Sequence, residues 1–400
     1  MKILIVAERY WPEVGAVPSR LANMAEGLKE NGCDVEVLTG LPNYPKGKIF
    51  GGYRGCLFRR EEHQGITLFR YWLYATVSRH PIARVLNMFS LAVTIWFFVF
   101  RRRRIKSYDC VIIQTPTLVV ASSAMLMFKY LYRCTCLLNV SDIWPTTAVD
   151  MGAMRETDKS YRFMASLERF LYRTADGIMG QSKEILDHIA TFRNRGQLFL
   201  YRNLQRYSFT RPPKKKGMPL KVVFSGMLGV AQNVEELVRK IPFEQLGVEF
   251  HILGGGRQLP DIENYIQQHP YCKVKAHGFV AKEEIADRLR EMDAGIVPLA
   301  TRIRGAVPSK IYDILPQGLP ILFCGGGEGA NFINERGVGL ISAPGDYEAL
   351  TQNLEKLNRM SDADYEAMSE RCLQVSRNEL NFDKQMKQLC AFICDLIRRK

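Results

Sequence analysis

Apolar residues along this 400-residue chain fall in short runs separated by longer amphipathic stretches, the alternation expected when buried parallel strands are joined by helices. Runs at 2–7, 34–39, 65–71, 109–114, 136–140 and 177–181 read as strands. After Ser19, residues Leu21, Met24, Ala25 and Leu28 share one helical face, and Asn31-Gly32 ends it before the next strand. On this reading Glu13 to Ser19 form a loop and Arg20 begins the first helix.

From Arg206 to Pro219 neither period survives, and Arg-Pro-Pro-Lys-Lys-Lys-Gly-Met-Pro reads as a linker. A second series of strands follows at 220–224, 247–253, 273–277, 294–298, 320–323 and 339–342, again with helical stretches between. The pattern predicts an α/β protein of two Rossmann-like, doubly wound domains facing across a cleft, with ligands at the carboxyl ends of their strands. The expected boundaries are 1–203 and 204–384, with a last helix, 385–400, packing back on the first domain.

The formal charge is +14, and it is uneven: residues 1–203 carry 28 Lys and Arg against 17 Asp and Glu, the remainder 27 against 24. Residues 51–133 hold 13 basic and 3 acidic side chains. The same region contains the apolar run from Val85 to Phe100, which Arg101-Arg-Arg-Arg, Ile105 and Lys106 follow directly. Sixteen residues rise ~24 Å as a helix, short of a ~30 Å hydrocarbon layer, so a span is not expected. Two readings remain, a buried Rossmann helix or a helix lying in an anionic membrane surface; Trp96, Phe97, Phe98 and Phe100 favour the second, through residues 85–106.

Ten cysteines without metal-like spacing read as reduced thiols, and the six histidines form no HxxxH or HExxH pair. The chain enters its first strand at once, without a signal-peptide pattern, so a cytoplasmic protein is expected. Arg59-Arg60 and Lys214 to Lys216 come with no nucleic-acid module and read as solvated loops. Asp362-x-Asp364 has a metal-binding spelling, but Ser361 before it marks a capped helix start, and no essential metal is expected.

Chemistry concentrates in residues 304–321. Arg304 and Gly305 lead to Pro308-Ser309-Lys310, Asp313 lies one turn on, and Gly318-Leu-Pro precedes a strand. Such a helix start aims free backbone amides and a cation at one spot, which suits a diphosphate, while the carboxylate can accept from ribose hydroxyls. Glycines follow the second domain's first two strands in Ser225-Gly226-Met-Leu-Gly229 and Gly254-Gly-Gly. The third strand leads into Gly278-Phe279-Val280, a loop able to cradle a planar base.

Taken together, Ser-Gly-x-x-Gly, Ile-Leu-Gly-Gly-Gly, His-Gly-Phe-Val, Asp-Ala-Gly-Ile-Val-Pro and Pro-Ser-Lys-x-x-Asp-x-x-x-x-Gly-x-Pro-Ile resemble the donor domain of family 4 retaining glycosyltransferases of the GT-B fold. Tyr10-Trp-Pro-Glu, Leu41-Pro-Asn-Tyr-Pro and Ser141-Asp-Ile-Trp-Pro resemble the branch that builds bacterial surface polysaccharides, including N-acetylfucosamine and colanic-acid-type transferases.

The resemblance implies that Gly226, Gly229 and Lys310 face the donor diphosphate and that Gly278, Phe279 and Val280 hold its base, with Gly254, Pro308, Ser309 and Asp313 completing the donor site. Many relatives carry two glutamates eight residues apart; here the second place is Asp313 and the first is Gly305. Where many have Lys-Gly, this chain has Gln232-Asn233, which leaves Lys310, with Arg302 or Arg304, as the cation. On the acceptor side the resemblance points to Asp142 as the residue that positions or deprotonates the hydroxyl, with Trp144 beside it and Glu13, Gly15 and Arg20 across the loop. The implied reaction is metal-independent transfer, without a cofactor, from a nucleotide sugar, UDP-linked before GDP-linked, to a lipid-linked saccharide. A nucleotide-sugar 2-epimerase and a non-catalytic, membrane-docked assembly partner are the alternatives.

Overall fold

In the computed structural model, which describes residues 1–78, 80–193, 197–207 and 212–399, the chain forms two units: Met1–Arg202 with Asp383–Lys400, and Asn203–Phe382.

The first unit is built on an eight-stranded sheet in the order β3-β4-β2-β1-β5-β6-β7-β8. Its strands are β1 Lys2–Val6, β2 Asp34–Gly40, β3 Phe58–His63, β4 Ile66–Tyr71, β5 Cys110–Gln114, β6 Thr135–Val140, β7 Gly177–Gly180 and β8 Gln197–Leu200. All pairs are parallel except β3 with β4. The central strands are apolar on both faces because helices cover both, so β1 and β5 read as unbroken hydrophobic runs.

Two strands escape the sequence pattern. β3 (Phe-Arg-Arg-Glu-Glu-His) is a charged edge strand, hairpinned onto β4 through Gln64 and Gly65, which both have positive φ (51° and 69°). β8 is half-buried throughout and lies at the other edge. Arg59 and Arg60 therefore belong to this hairpin and not to a loop.

The first helix is Ala16–Glu30, so it starts ahead of Ser19 and Arg20 stands inside it. Pro18 is tolerated because first-turn N–H groups have no helical acceptor to lose. The last helix, Phe382–Arg398, packs on the first unit: Leu396 lies over Gly177, and the Phe392 and Phe199 rings are 5.1 Å apart. Gln385 fixes it at the end of β8 through both bonds to the Arg202 main chain, at 2.9 and 3.0 Å.

The second unit has six parallel strands in the order β11-β10-β9-β12-β13-β14. They are β9 Leu220–Ser225, β10 Val248–Leu253, β11 Val274–Ala276, β12 Ala294–Pro298, β13 Ile321–Cys324 and β14 Gly339–Ser342. Strand order reverses between β9 and β12, the place where open α/β sheets bind ligands. The approach to β9 is not a free solvated loop. Lys214 Nζ donates to Arg290 O at 2.7 Å and Lys216 Nζ to Asn358 O at 3.0 Å, so two of the three lysines satisfy carbonyls at helix ends.

Candidate active site

The carboxyl edge of the second unit's sheet gathers most of the residues expected to bind a donor. Past the end of β9, the main chain stays zipped to the β10 loop: Gly226 N donates to Leu253 O at 2.9 Å and Leu228 N to Gly255 O at 3.0 Å. A side chain on Gly254 would collide with the Gly226 carbonyl, so this glycine serves close backbone approach. Gly229 makes the next turn, its carbonyl accepting from Gln232 N and Asn233 N.

Lys310 opens the five-residue helix Lys310–Ile314 and lies across Gly226. A Cβ at Gly226 would stand 2.5 Å from Lys310 Cε and 2.8 Å from its Nζ. The ammonium is 5.4 Å from the centre of the Phe224 ring. Burial lowers its pKa, against the pull of Asp313. The free amide tips expected here are fewer than the sequence suggests. Ile311 N already donates to Pro308 O at 3.1 Å and Tyr312 N to Ser309 O at 2.9 Å, and the Ser309 side chain makes no capping bond.

Asp313, half-buried, accepts from Tyr207 Oη at 2.8 Å, and burial together with that carboxylate raises the Tyr207 pKa. Sequence reasoning missed this tyrosine because it lies at the start of a stretch without periodicity. Arg302 lies over the turn after β13, its Cδ 3.7 Å from where Gly326 would carry a Cβ, and both Arg302 and Arg304 are exposed. Lys310, not either arginine, is the cation over Gly226. Gly305 has a φ of +76°, so its place does not suit a glutamate. Gly278 turns the chain after β11, Val280 is half-buried, and Phe279 is exposed with its ring against Gly255.

In the first unit, Glu13 is buried at 4% exposure and its oxygens are occupied. Oε1 accepts from Asn43 N at 2.9 Å and Tyr44 N at 2.8 Å, and Oε2 from Tyr10 N at 3.3 Å. It ties the Pro-Asn-Tyr-Pro loop to the Tyr-Trp-Pro-Glu loop, and burial raises its pKa against those hydrogen bonds. Gly15 stands beside the Tyr44 ring, where a Cβ would be 3.5 Å from Cε1.

Asp142 follows β6 and Ser141, half-buried, with Trp144 N donating to its carbonyl at 2.9 Å. Trp144 packs its half-buried ring on the apolar core. Burial raises the Asp142 pKa and Arg20 pulls it back. Arg20 is itself 4% exposed, and its Nη2 donates to Ser141 Oγ at 2.6 Å. The structure thus brings Arg20 to Asp142 from 122 positions away.

Comparison with known proteins bears on family and fold. Residues 15–197 match the glycosyl transferase 4-like domain, and residues 219–359 match glycosyl transferases group 1. The chain belongs to the family 4 glycosyltransferases. The transferase is 24% identical over 341 residues to the putative colanic acid biosynthesis glycosyl transferase WcaI of Escherichia coli K12, covering 80% of this chain and 82% of that protein. Its fold is that of sucrose-phosphate synthase from Thermosynechococcus elongatus (TM-score 0.75, 14% identity, all of both chains). It is also that of Anabaena Alr3699/HepE solved with UDP and glucose (TM-score 0.68, 15% identity, 99% and 100% of the two chains). These solved neighbours establish the GT-B fold.

The apolar segment of the transferase differs from the sequence estimate. Helical conformation runs from Ile82 to Arg101, 20 residues, long enough at ~30 Å to cross a bilayer by length alone. It instead lies along the first unit, burying Leu91, Ala92, Ile95 and Phe98, and the chain then returns to β5 within the sheet. Only 22% of its most apolar stretch is buried, so its apolar sides do not all find neighbours among the described residues. Val93, Phe97 and Phe100 are exposed, as are Leu126, Tyr130 and Leu131 on the neighbouring helical segment. The arginines do not all face out. Arg104 pairs with Glu36 at 2.8 Å and Arg101 lies 4.8 Å over Phe58, whereas Arg103 and Lys106 are exposed.

The Asp362-x-Asp364 pair occupies the first turn of Asp362–Glu379, where Ser361 Oγ accepts from Asp364 N at 3.1 Å. It is a capped helix start.

Proposed function

We propose that the transferase moves a hexose-type sugar from a nucleotide sugar, UDP-linked by preference, to a polyprenyl-diphosphate-linked saccharide, keeping the anomeric configuration and using no metal. Family membership supports glycosyl transfer, the relation to a colanic acid biosynthesis protein supports a surface polysaccharide, and the Anabaena neighbour with UDP and glucose supports the choice of nucleotide.

The observation that carries the reading is Lys310 lying over Gly226 at the carboxyl end of β9. A diphosphate placed against the Gly226 to Gly229 main chain meets that ammonium, which offsets the charge that builds on the leaving group. The same contact binds the ground state, and it accelerates transfer only so far as it strengthens when the glycosidic bond breaks. Asp142, with no hydrogen bond to its carboxylate among the described residues, is left to accept the proton of an acceptor hydroxyl. Retention then follows from attack on the face that the diphosphate leaves, with the leaving phosphate assisting.

The acceptor's lipid is met at an anionic membrane surface by residues 85–106, extended by Leu126, Tyr130 and Leu131. The epimerase reading leaves this exposed apolar face without a role, and the non-catalytic reading leaves Lys310 over Gly226 without one.

The test incubates purified protein with a panel of nucleotide sugars, with and without bacterial membrane lipid extract. Nucleotide release that depends on the extract is expected. Isomerisation without extract would establish an epimerase, and no turnover with any donor would defeat the catalytic reading.

A further inference from the structure

Resting on Asp142 as the acceptor-facing carboxylate, we propose that Arg20 is a positioning residue that keeps Asp142 charged yet unspent, and that Ser141, Gln114 and Asn139 form the frame that fixes Arg20.

The frame is fully determined at its centre. Ser141 Oγ accepts from Arg20 Nη2 at 2.6 Å and from Gln114 Nε2 at 2.6 Å, and donates to Thr115 O at 3.0 Å. A hydroxyl has one proton and two lone pairs, so this one has no freedom left to rotate. Gln114 is held in turn by Asn139, whose Nδ2 donates to Gln114 Oε1 at 2.6 Å. β5 and β6 thus present a rigid acceptor to a guanidinium arriving from the first helix.

Arg20 gains little else. It is 4% exposed, and its Nε is buried without a partner. A cation so placed is unfavourable unless a countercharge stands near. Asp142 is that countercharge, and the attraction acts on both groups. Among the described residues the two form no direct hydrogen bond or ion pair. This intermediate spacing has a chemical consequence: a direct pair would occupy the carboxylate oxygens, whereas a lone half-buried carboxylate would take up a proton and lose its basicity. Held as it is, Asp142 has its charged form favoured by Arg20 and its oxygens available to a hydroxyl.

Among the described residues, the other groups set against this pair are tyrosines. Tyr172 approaches Asp142 from helix Lys159–Thr174, its hydroxyl engaged by Glu168, which His188 contacts at 3.0 Å from helix Lys183–Ala190. Tyr201, after β8, lies beside Arg20.

The direct test labels aspartate with 13C at the side-chain carboxyl, assigns Asp142 by Asp142→Asn, and follows its titration by NMR in the full chain. Arg20→Gln should raise the midpoint by about one pH unit or more. Ser141→Ala should move it the same way by less, and Arg20→Lys should stay nearest to the wild type. Should Arg20→Gln fail to fold, Ser141→Ala decides alone: an upward shift supports the proposal and an unmoved midpoint overturns it. In transfer assays the acid limb of the pH–rate profile should move with the midpoint. A wild-type protein that transfers no sugar would defeat the proposed function, while the carboxyl titration would still judge the coupling of Arg20 to Asp142.

Discussion

The Lys310 side chain crosses the bare Cα of Gly226, so close that a single methyl group at that position would fall 2.5 Å from Lys310 Cε. The glycine and the cation are one device, since the space left by the first is filled by the second. Lys310→Ala should lower kcat by about 10²–10³-fold, the scale for losing one preorganised charge stabiliser. Gly226→Ala should reproduce part of that loss by displacing the lysine, with a backbone cost of about 1–3 kcal/mol because φ there is +138°. Steady-state kinetics and nucleotide titration check both; unchanged turnover in Lys310→Ala would remove the lysine from the mechanism.

Asp142 makes a prediction about stability as well as rate. Its folded-state pKa lies above the ordinary value of 3.8, chiefly because of burial. Between those two values the folded chain holds a proton that the unfolded chain has released, so stability falls as pH rises through that window and remains lower above it. Asp142→Asn does not titrate, and it removes both the buried charge and the countercharge of Arg20. Calorimetry should find the wild-type Tm falling as pH rises through that window, a fall that the Asn variant lacks. A wild type with the same pH dependence as the Asn variant there would contradict the assignment of burial as the dominant cause.

Glu13 should behave as a structural clamp. Glu13→Ala leaves the amides of Asn43 and Tyr44 without their acceptor and should cost about 2–3 kcal/mol in urea unfolding. Glu13→Gln keeps an acceptor oxygen and should recover much of it. A direct role in acceptor binding would show instead as a raised acceptor KM with stability untouched.

Phe97 and Phe100 are 57% and 83% exposed, which makes them sensitive reporters of membrane contact. Phe97→Glu with Phe100→Glu should weaken sedimentation with phosphatidylglycerol vesicles about tenfold or more. Because Arg101 and Arg104 are engaged within the protein, salt should weaken vesicle binding less than four free arginines would predict. Equal sedimentation of variant and wild type would show that another surface, or none, meets the lipid.

Much of the architecture was legible because strands covered on both faces are largely apolar: β1, β5 and β12 are nearly unbroken runs, and β2, β9 and β10 keep the pattern around a few polar positions such as Glu36, Lys221 and His251. The edge strands β3 and β8 were not legible, since an edge carries polar or half-buried residues that resemble a loop. Lys310 and Gly226 could be nominated from the chain because they stand at a helix start and just after a strand, positions that local sequence defines, whereas Asp142 was singled out through the family resemblance.

Local sequence determined the alternation of central strands and helices and which residues stand at strand ends and helix starts. Tertiary structure alone decided what those residues touch: Arg20 meeting Ser141 and Asp142, Glu13 spent on the amides of 43 and 44, Tyr207 donating to Asp313, and Arg104 turned inward to Glu36. The physical reason is range. Periodicity reports which face of an element is buried, whereas the charge and hydrogen-bond partners of a buried polar group are set by segments that are distant in sequence and become neighbours only when the sheet is assembled.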